Sequence, residues 1–200
     1  MTVRKFAWAI PLLAAFLLPG CVSTPPMVTR PLHDNEAMIA PDVTFAIPPP
    51  SVLGQTVSVA QVIVAHFRDQ SYSFQAQIQI TPQQLDLAAL DGLGRRALTV
   101  TWKQDGIDHK EAPWLPAFIR PADILADIAI VYWPEEIVAS SLASSGTTLS
   151  VSESDRKIRS AKRDLIVVEY GEGKGWNRAA KLRNLVFGYE IDIQSSEIAP

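Results

Sequence analysis

The sequence predicts a mostly β, α+β domain: antiparallel strands, a helical insertion, then more strands. Three observations carry this. Residues Tyr72–Ile80 alternate apolar and polar at every step, the period of a strand with one dry and one wet face. The same alternation returns over Ala97–Gln104 and over Leu182–Ile193. Between these runs, Pro121–Tyr132 changes to helical spacing.

The N-terminus comes first. Arg4 and Lys5 precede Phe6–Leu18, an uncharged apolar run of 13 residues. As a helix it spans ~20 Å, short of the ~30 Å hydrocarbon core of a bilayer. This layout reads as a secretory signal over residues 1–20. Cys21 is the only cysteine, so it has no intrachain disulfide partner. Leu18-Pro19-Gly20-Cys21 resembles the bacterial lipobox, which implies a Cys21 that is acylated and becomes the first residue of the mature chain. Several acyl chains on one residue anchor a protein firmly. Val22, where aspartate commonly marks retention at the inner membrane, favours the outer membrane.

Removing residues 1–20 leaves 180, enough for one domain with a real core. The formal charge moves from −3 to −5 as Arg4 and Lys5 leave. A mildly acidic chain without a basic arm argues against nucleic acid. Val22–Pro50 holds seven of the 15 prolines and reads as a semi-rigid spacer. Residues 21–52 are therefore expected to form a lipidated tether, and 53–195 a single domain. The cluster His33–Glu36 on that tether reads as a solvated turn.

Within the domain, Val57–Phe67 is the first expected strand, joined through Arg68–Ser71 to Tyr72–Ile80. Tyr72, Phe74, Ala76, Ile78 and Ile80 then share one face. Leu98, Val100 and Trp102 align along Ala97–Gln104, and Asp105-Gly106 is a strong hairpin turn. In Pro121–Tyr132, Pro121 suits a first helical turn and Asp123 complements the helix dipole. Ile124, Ile128, Val131 and Tyr132 make a helical stripe, although Ile128–Trp133 reads equally as a short strand. Pro134-Glu135-Glu136 opens a second short helix, which ends in the serine-rich loop at Ser140–Ser145. Asp164–Tyr170 and Leu182–Ile193 are expected strands around the turn Gly171–Gly175. In the last strand Leu185, Phe187, Tyr189, Ile191 and Ile193 fall on one side. Helices laid across the concave side would bury the dry face; periodicity does not say whether side chains or a ligand fill the interior.

Catalytic chemistry finds little footing. Asp105, Asp108, His109 and Glu111 read as a polar hairpin end rather than a metal site. His66 lies late in a strand. Neither a G-x-S-x-G nor an H-E-x-x-H motif occurs, and Gly171–Gly175 lacks phosphate-loop spacing. Asp123 and Asp127 read as the solvated face of their helix. No enzyme activity, metal or cofactor is expected. Nine of the 16 Lys and Arg after residue 20 lie between Arg156 and Arg183. Arg156, Lys157, Arg159, Lys162 and Arg163 are candidates to face anionic headgroups, beside the plainer reading of outward strand positions.

Three phrases resemble one known group: Leu90–Trp102 its "G-x-R-l-f-x-L" strand, Ile124–Pro134 its "L-A-D-x-x-L-x-Y-W-P" stretch, and Asn184–Ile191 its closing strand. That group is domain-of-unknown-function family 3261, bacterial lipoproteins distantly similar to the outer-membrane lipoprotein receptor LolB and often encoded beside aryl-polyene biosynthesis genes. The loop at Ser144–Ser154 is longer and more polar than is usual for the group. The resemblance covers Leu53 to Ile193. It implies an open antiparallel half-barrel, LolA/LolB-like, with short helices as a lid over an apolar interior. Such an interior accepts acyl chains, where each buried methylene contributes ~0.8 kcal/mol.

The expected lining is Phe74, Ile78, Ile80, Val100, Trp102, Leu125, Ile128, Trp133, Phe187, Tyr189 and Ile191. The expected function is a non-enzymatic, outer-membrane lipoprotein on the periplasmic side. It would be a monomer that binds or transfers a lipid-like molecule, such as an aryl-polyene lipid or a lipoprotein acyl chain. Its partners would be the membrane, through its acyl chains, and that hydrophobic ligand. The alternative is a lipid-anchored scaffold for envelope enzymes, with Trp114, Trp176 and the basic region as contact surface.

Overall fold

The computed structural model describes residues 35–198; the signal-like segment, Cys21 and His33 lie outside them. The first finding corrects the expected spacer. Glu36–Ala40 (β1) and Val43–Ala46 (β2) pair as an antiparallel hairpin, and a 3-10 turn follows over Pro50–Leu53. Ala37, Ile39, Phe45, Ile47 and Leu53 are all buried in the main hydrophobic cluster. Proline serves turns as readily as extended linkers, so proline content alone did not separate the two. Pro41 sits in the hairpin turn and Pro48–Pro50 lead into the 3-10 turn.

The other strands are Val57–Phe67 (β3), Gln70–Ile80 (β4), Gln84–Asp91 (β5), Arg96–Lys103 (β6) and Gly106–Glu111 (β7), followed after the helices by Thr148–Val151 (β8), Asp155–Arg159 (β9), Asp164–Tyr170 (β10), Ala180–Asn184 (β11) and Tyr189–Glu197 (β12). They form one ten-stranded antiparallel sheet in the order β7-β6-β5-β4-β3-β12-β11-β10-β9-β8. Two meanders thus meet where the first and last long strands pair, from Phe67↔Tyr189 to Val59↔Glu197. β7 and β8 are edges that do not pair with each other, so the sheet stays open. This is the expected mostly β architecture, an open half-barrel with short helices.

Alternation sets the two faces. Ala76, Ile78 and Ile80 of β4 are buried while Gln75, Gln77 and Gln79 are exposed. β5 was not anticipated, yet its Leu85, Leu87 and Ala89 repeat the pattern. β8 falls inside the segment read as a polar loop.

The single strand expected over Leu182–Ile193 is two strands. The Asn184 carboxamide oxygen accepts from the Val186 and Phe187 amides at 3.0 and 2.8 Å, while its Nδ2 donates to the Ile39 carbonyl at 2.9 Å. Gly188, at φ 71°, then takes the left-handed conformation that favours glycine. An apolar alternation through Leu185 and Phe187 masks this turn, because the chain reverses there on one asparagine side chain.

Pro121–Tyr132 is helical throughout (α1), and Glu135–Ser141 forms the second helix (α2). Tertiary hydrogen bonds explain why α1 runs on through the ambiguous Ile128–Tyr132 stretch. Arg156 Nη1 donates to the Ile130 and Trp133 carbonyls at 2.6 and 2.9 Å, and the Tyr170 hydroxyl donates to the Val131 carbonyl at 2.7 Å. Carbonyls left over at a helix C-terminus are thereby satisfied by a cation and a phenol from β9 and β10.

Arg156 is therefore buried, 8% exposed, and does not face a membrane; its charge serves the helix end. Arg156→Ala is expected to lower stability by about 3 kcal/mol, since it strands buried carbonyls. Urea denaturation measures this, with Arg156→Lys recovering only part, because one ammonium has less reach than a guanidinium.

Candidate functional site

The concave side holds a cavity of 440 Å³, inside the ~300–1,000 Å³ range of ligand pockets. One wall is the sheet, from the inward rows of β3 to β6 and the first residues of β12, which pairs with β3; the other comes from the start of α1 and the preceding segment Leu115–Arg120. Its origin lies in side-chain size. Along the β4–β5 pair the inward rows read Ile80↔Leu85, Ile78↔Leu87 and then Ala76↔Ala89. Ala65 and Ala97 also line the hollow. Where the rows carry Ile and Leu the interior is packed; where they shrink to alanine it is not.

The eleven expected lining residues divide accordingly. Phe74, Ile128, Phe187, Tyr189 and Ile191 face the cavity. Ile78, Ile80, Val100, Trp102, Leu125 and Trp133 do not; they are buried in the packed cluster with Phe45, Ile47 and Leu53. The Trp102 indole donates to the Pro48 carbonyl at 3.3 Å, so the segment read as spacer helps fill that part. Period-two spacing assigns a residue to the dry face but does not say what lies opposite it.

Antiparallel order brings the β3–β4, β5–β6, β9–β10 and β11–β12 turns and the segment before α1 to one end of the sheet. That end is rich in exposed apolar side chains: Leu93, Trp114, Phe118, Leu185 and Phe187. Phe118 leans on Phe67 and Tyr72, with ring centroids 4.6 and 5.9 Å apart, and Arg95 lies over the Trp114 ring at 4.8 Å. Of the basic candidates, Lys162 and Arg163 sit exposed in the β9–β10 turn at this end. Lys157 and Arg159 are instead paired, with Asp155 at 3.3 Å and Asp164 at 2.6 Å.

The electrostatic centre of the cavity wall is a residue whose role sequence reasoning misread. Asp127 is not on a solvated helix face; it is 9% exposed and lines the cavity. Its two oxygens accept from one donor, the Tyr189 hydroxyl, at 3.0 and 3.2 Å. Burial pushes the Asp127 carboxyl up to about 8, opposed by the Tyr189 hydrogen bond and reinforced by the charge of Asp123. Burial likewise pushes the Tyr189 phenol well above its ordinary value, with Asp127 adding to the rise. The signal was present: Ile124, Asp127 and Val131 follow three-and-four spacing, so Asp127 lies on the apolar stripe itself.

Asp123, nearer the mouth, takes two hydrogen bonds from Arg120, both 2.7 Å. Burial still raises its carboxyl, against the pull of that arginine.

Other polar groups are already occupied. His66, Glu190 and Asp192 cluster with metal-like spacing, yet Lys181 Nζ reaches Glu190 at 2.6 Å and Asp192 at 3.0 Å. The His66 ring nitrogens meet Asp192 at 3.3 Å and Ser71 at 2.8 Å. An ammonium thus holds the position a cation would take. His109 sits on the exposed edge strand β7, 3.8 Å from Glu111. Trp176, expected on a contact surface, is 4% exposed and stacks on Tyr132 at 4.2 Å; a flat indole between helix and sheet is core, not surface. Among the described residues, no helix is long and apolar enough to cross a membrane.

A family model described as "Protein of unknown function (DUF3261)" matches residues 58–197. No curated protein matches the chain.

Proposed function

The chain belongs to the DUF3261 family, whose function is unknown, and we propose that it is a non-enzymatic protein that binds or transfers a lipid-like molecule. The observation that carries this reading is the hollow at the Ala76–Ala89 row, an apolar cavity that opens among exposed apolar side chains. Burial of ~25 cal/mol per Å² of apolar surface supplies the affinity without any specific contact. The proposal places the protein at the periplasmic face of the outer membrane, held by acyl chains on Cys21. The signal-like N-terminus and the lipobox-like residues before Cys21 support that placement.

Mass spectrometry tests both parts. Wild-type chain gently extracted from cells is expected to carry acyl mass on Cys21. The full chain expressed with Cys21→Ser is expected to retain a co-extracted amphiphile released by organic solvent. Unmodified Cys21 removes the anchor; a chain that carries no amphiphile and takes up no apolar fluorophore removes the carrier.

A further inference from the structure

The wall of the cavity is not uniformly greasy: among the described residues it holds two buried polar side chains, Gln61 and Asp127. The Gln61 amide nitrogen is engaged, donating to the Tyr132 and Ser195 hydroxyls at 3.1 and 3.2 Å, whereas Asp127 restricts what the cavity accepts. Among the described residues, the charged or titratable side chains on the wall are His66, Tyr72, Arg120, Asp123, Asp127 and Tyr189. Arg120 is clamped to Asp123 by two hydrogen bonds. His66 has both ring nitrogens engaged on the outer side. Neither side chain is free to meet an anion at depth. Asp127 has the opposite character. A carboxyl group offers about four lone-pair sites, and the single Tyr189 hydroxyl engages it with one proton. Acceptor capacity is left over, in a wall where water is scarce and an unmade hydrogen bond is costly.

Resting on the carrier reading above, we propose that Asp127, oriented by Tyr189, is the polar anchor of the cavity and selects an otherwise apolar ligand that carries a hydrogen-bond-donating, non-anionic group, an amine or a hydroxyl. The N–H or O–H of such a group gives its proton to an Asp127 oxygen while the hydrocarbon lies along Ala76 and Ala89. An anionic head is refused. Above about pH 8, where Asp127 is ionised, such a head would bring a third acceptor-only group beside Asp123 and Asp127, in surroundings of low dielectric, without an available cation. Aromatic faces on the same wall, from Phe67, Phe74, Phe118 and Phe187, add attraction for an ammonium and none for a carboxylate.

The test is run at about pH 9, where the Asp127 carboxyl is ionised and a primary alkylamine is still an ammonium. It uses the full chain with Cys21→Ser and three probes of equal chain length: dodecylamine, dodecanol and dodecanoate. Each competes with diphenylhexatriene, an apolar fluorophore without hydrogen-bonding groups. Dodecylamine and dodecanol are expected to displace it at concentrations at least about tenfold lower than dodecanoate, the scale of one hydrogen bond to a charged or strongly polar group. Asp127→Asn, with each protein referred to its own diphenylhexatriene affinity, is expected to reduce the advantage of dodecylamine over dodecanoate by about tenfold. Equal displacement by all three probes, or a dodecylamine preference that survives Asp127→Asn undiminished, overturns the anchor while leaving the carrier intact. Failure of diphenylhexatriene to bind the unsubstituted cavity overturns the carrier reading itself.

Discussion

Ala89→Trp is expected to abolish uptake of an apolar fluorophore, raising its dissociation constant by tenfold or more, while the fold remains. Ala89 faces Ala76 across the β4–β5 pair, in the row where the inward side chains shrink and the 440 Å³ hollow begins. An indole on that Cβ occupies the space a ligand would take. Insertion of bulk into a packed core costs ~1–3 kcal/mol; here the room already exists, so little of that strain is incurred. The paired measurements are fluorophore titration and thermal unfolding. Undiminished binding in a normally folded variant would place the ligand elsewhere. Ile78→Trp, one row into the packed region, is the control: its wild-type side chain is 1% exposed, and there the same bulk destabilises.

The second large effect is on pH dependence. The Asp127 carboxyl is raised from an ordinary 3.8 to about 8 by burial. Between those values the native state holds a proton that the unfolded state has lost. Stability therefore falls as pH rises through this window, by at most ~1.4 kcal/mol per pH unit, and levels off above about 8 where both states are ionised. Asparagine at 127 cannot ionise and escapes the loss. The stability of Asp127→Asn relative to the parent is expected to grow by about 2–4 kcal/mol between pH 5 and pH 8.5. Chemical denaturation at the two pH values measures it. Carboxyl groups that do not interact with Asp127 titrate alike in both proteins and cancel, so the difference reports Asp127 together with its interacting neighbour Asp123. A difference that does not change with pH would mean that Asp127 is ionised in the native cavity wall.

The same residue shows where sequence reasoning stops. Asp127 lies four residues from Asp123 and reads as half of a polar helix face. Helical spacing also sets it on the line from Ile124 to Val131, and nothing local chooses between these assignments. The choice is made by Tyr189, 62 residues away, whose hydroxyl reaches it across the interior. Arg156 is a parallel case. Its neighbours Lys157 and Arg159 are ordinary outward charges, while Arg156 points in because a helix end with unmet carbonyls lies opposite. A charged residue is placed by its partner, and partners distant in sequence leave no periodic trace.

What the amino-acid order determined by itself was whatever depends on neighbours within a few positions. The two-residue rhythm of β3, β4 and β6, the hairpin at Asp105-Gly106 and the helix opening at Pro121 all come from local sterics and one-sided burial. Contacts between distant segments decided the rest. The proline-rich stretch joined the core because Phe45 and Ile47 found an unfilled part of the sheet, and the last strand broke because Asn184 found both a turn and the Ile39 carbonyl. The hollow exists because two alanines from different strands came into register. Space inside a protein is a property of what faces what, and only the folded chain brings those faces together.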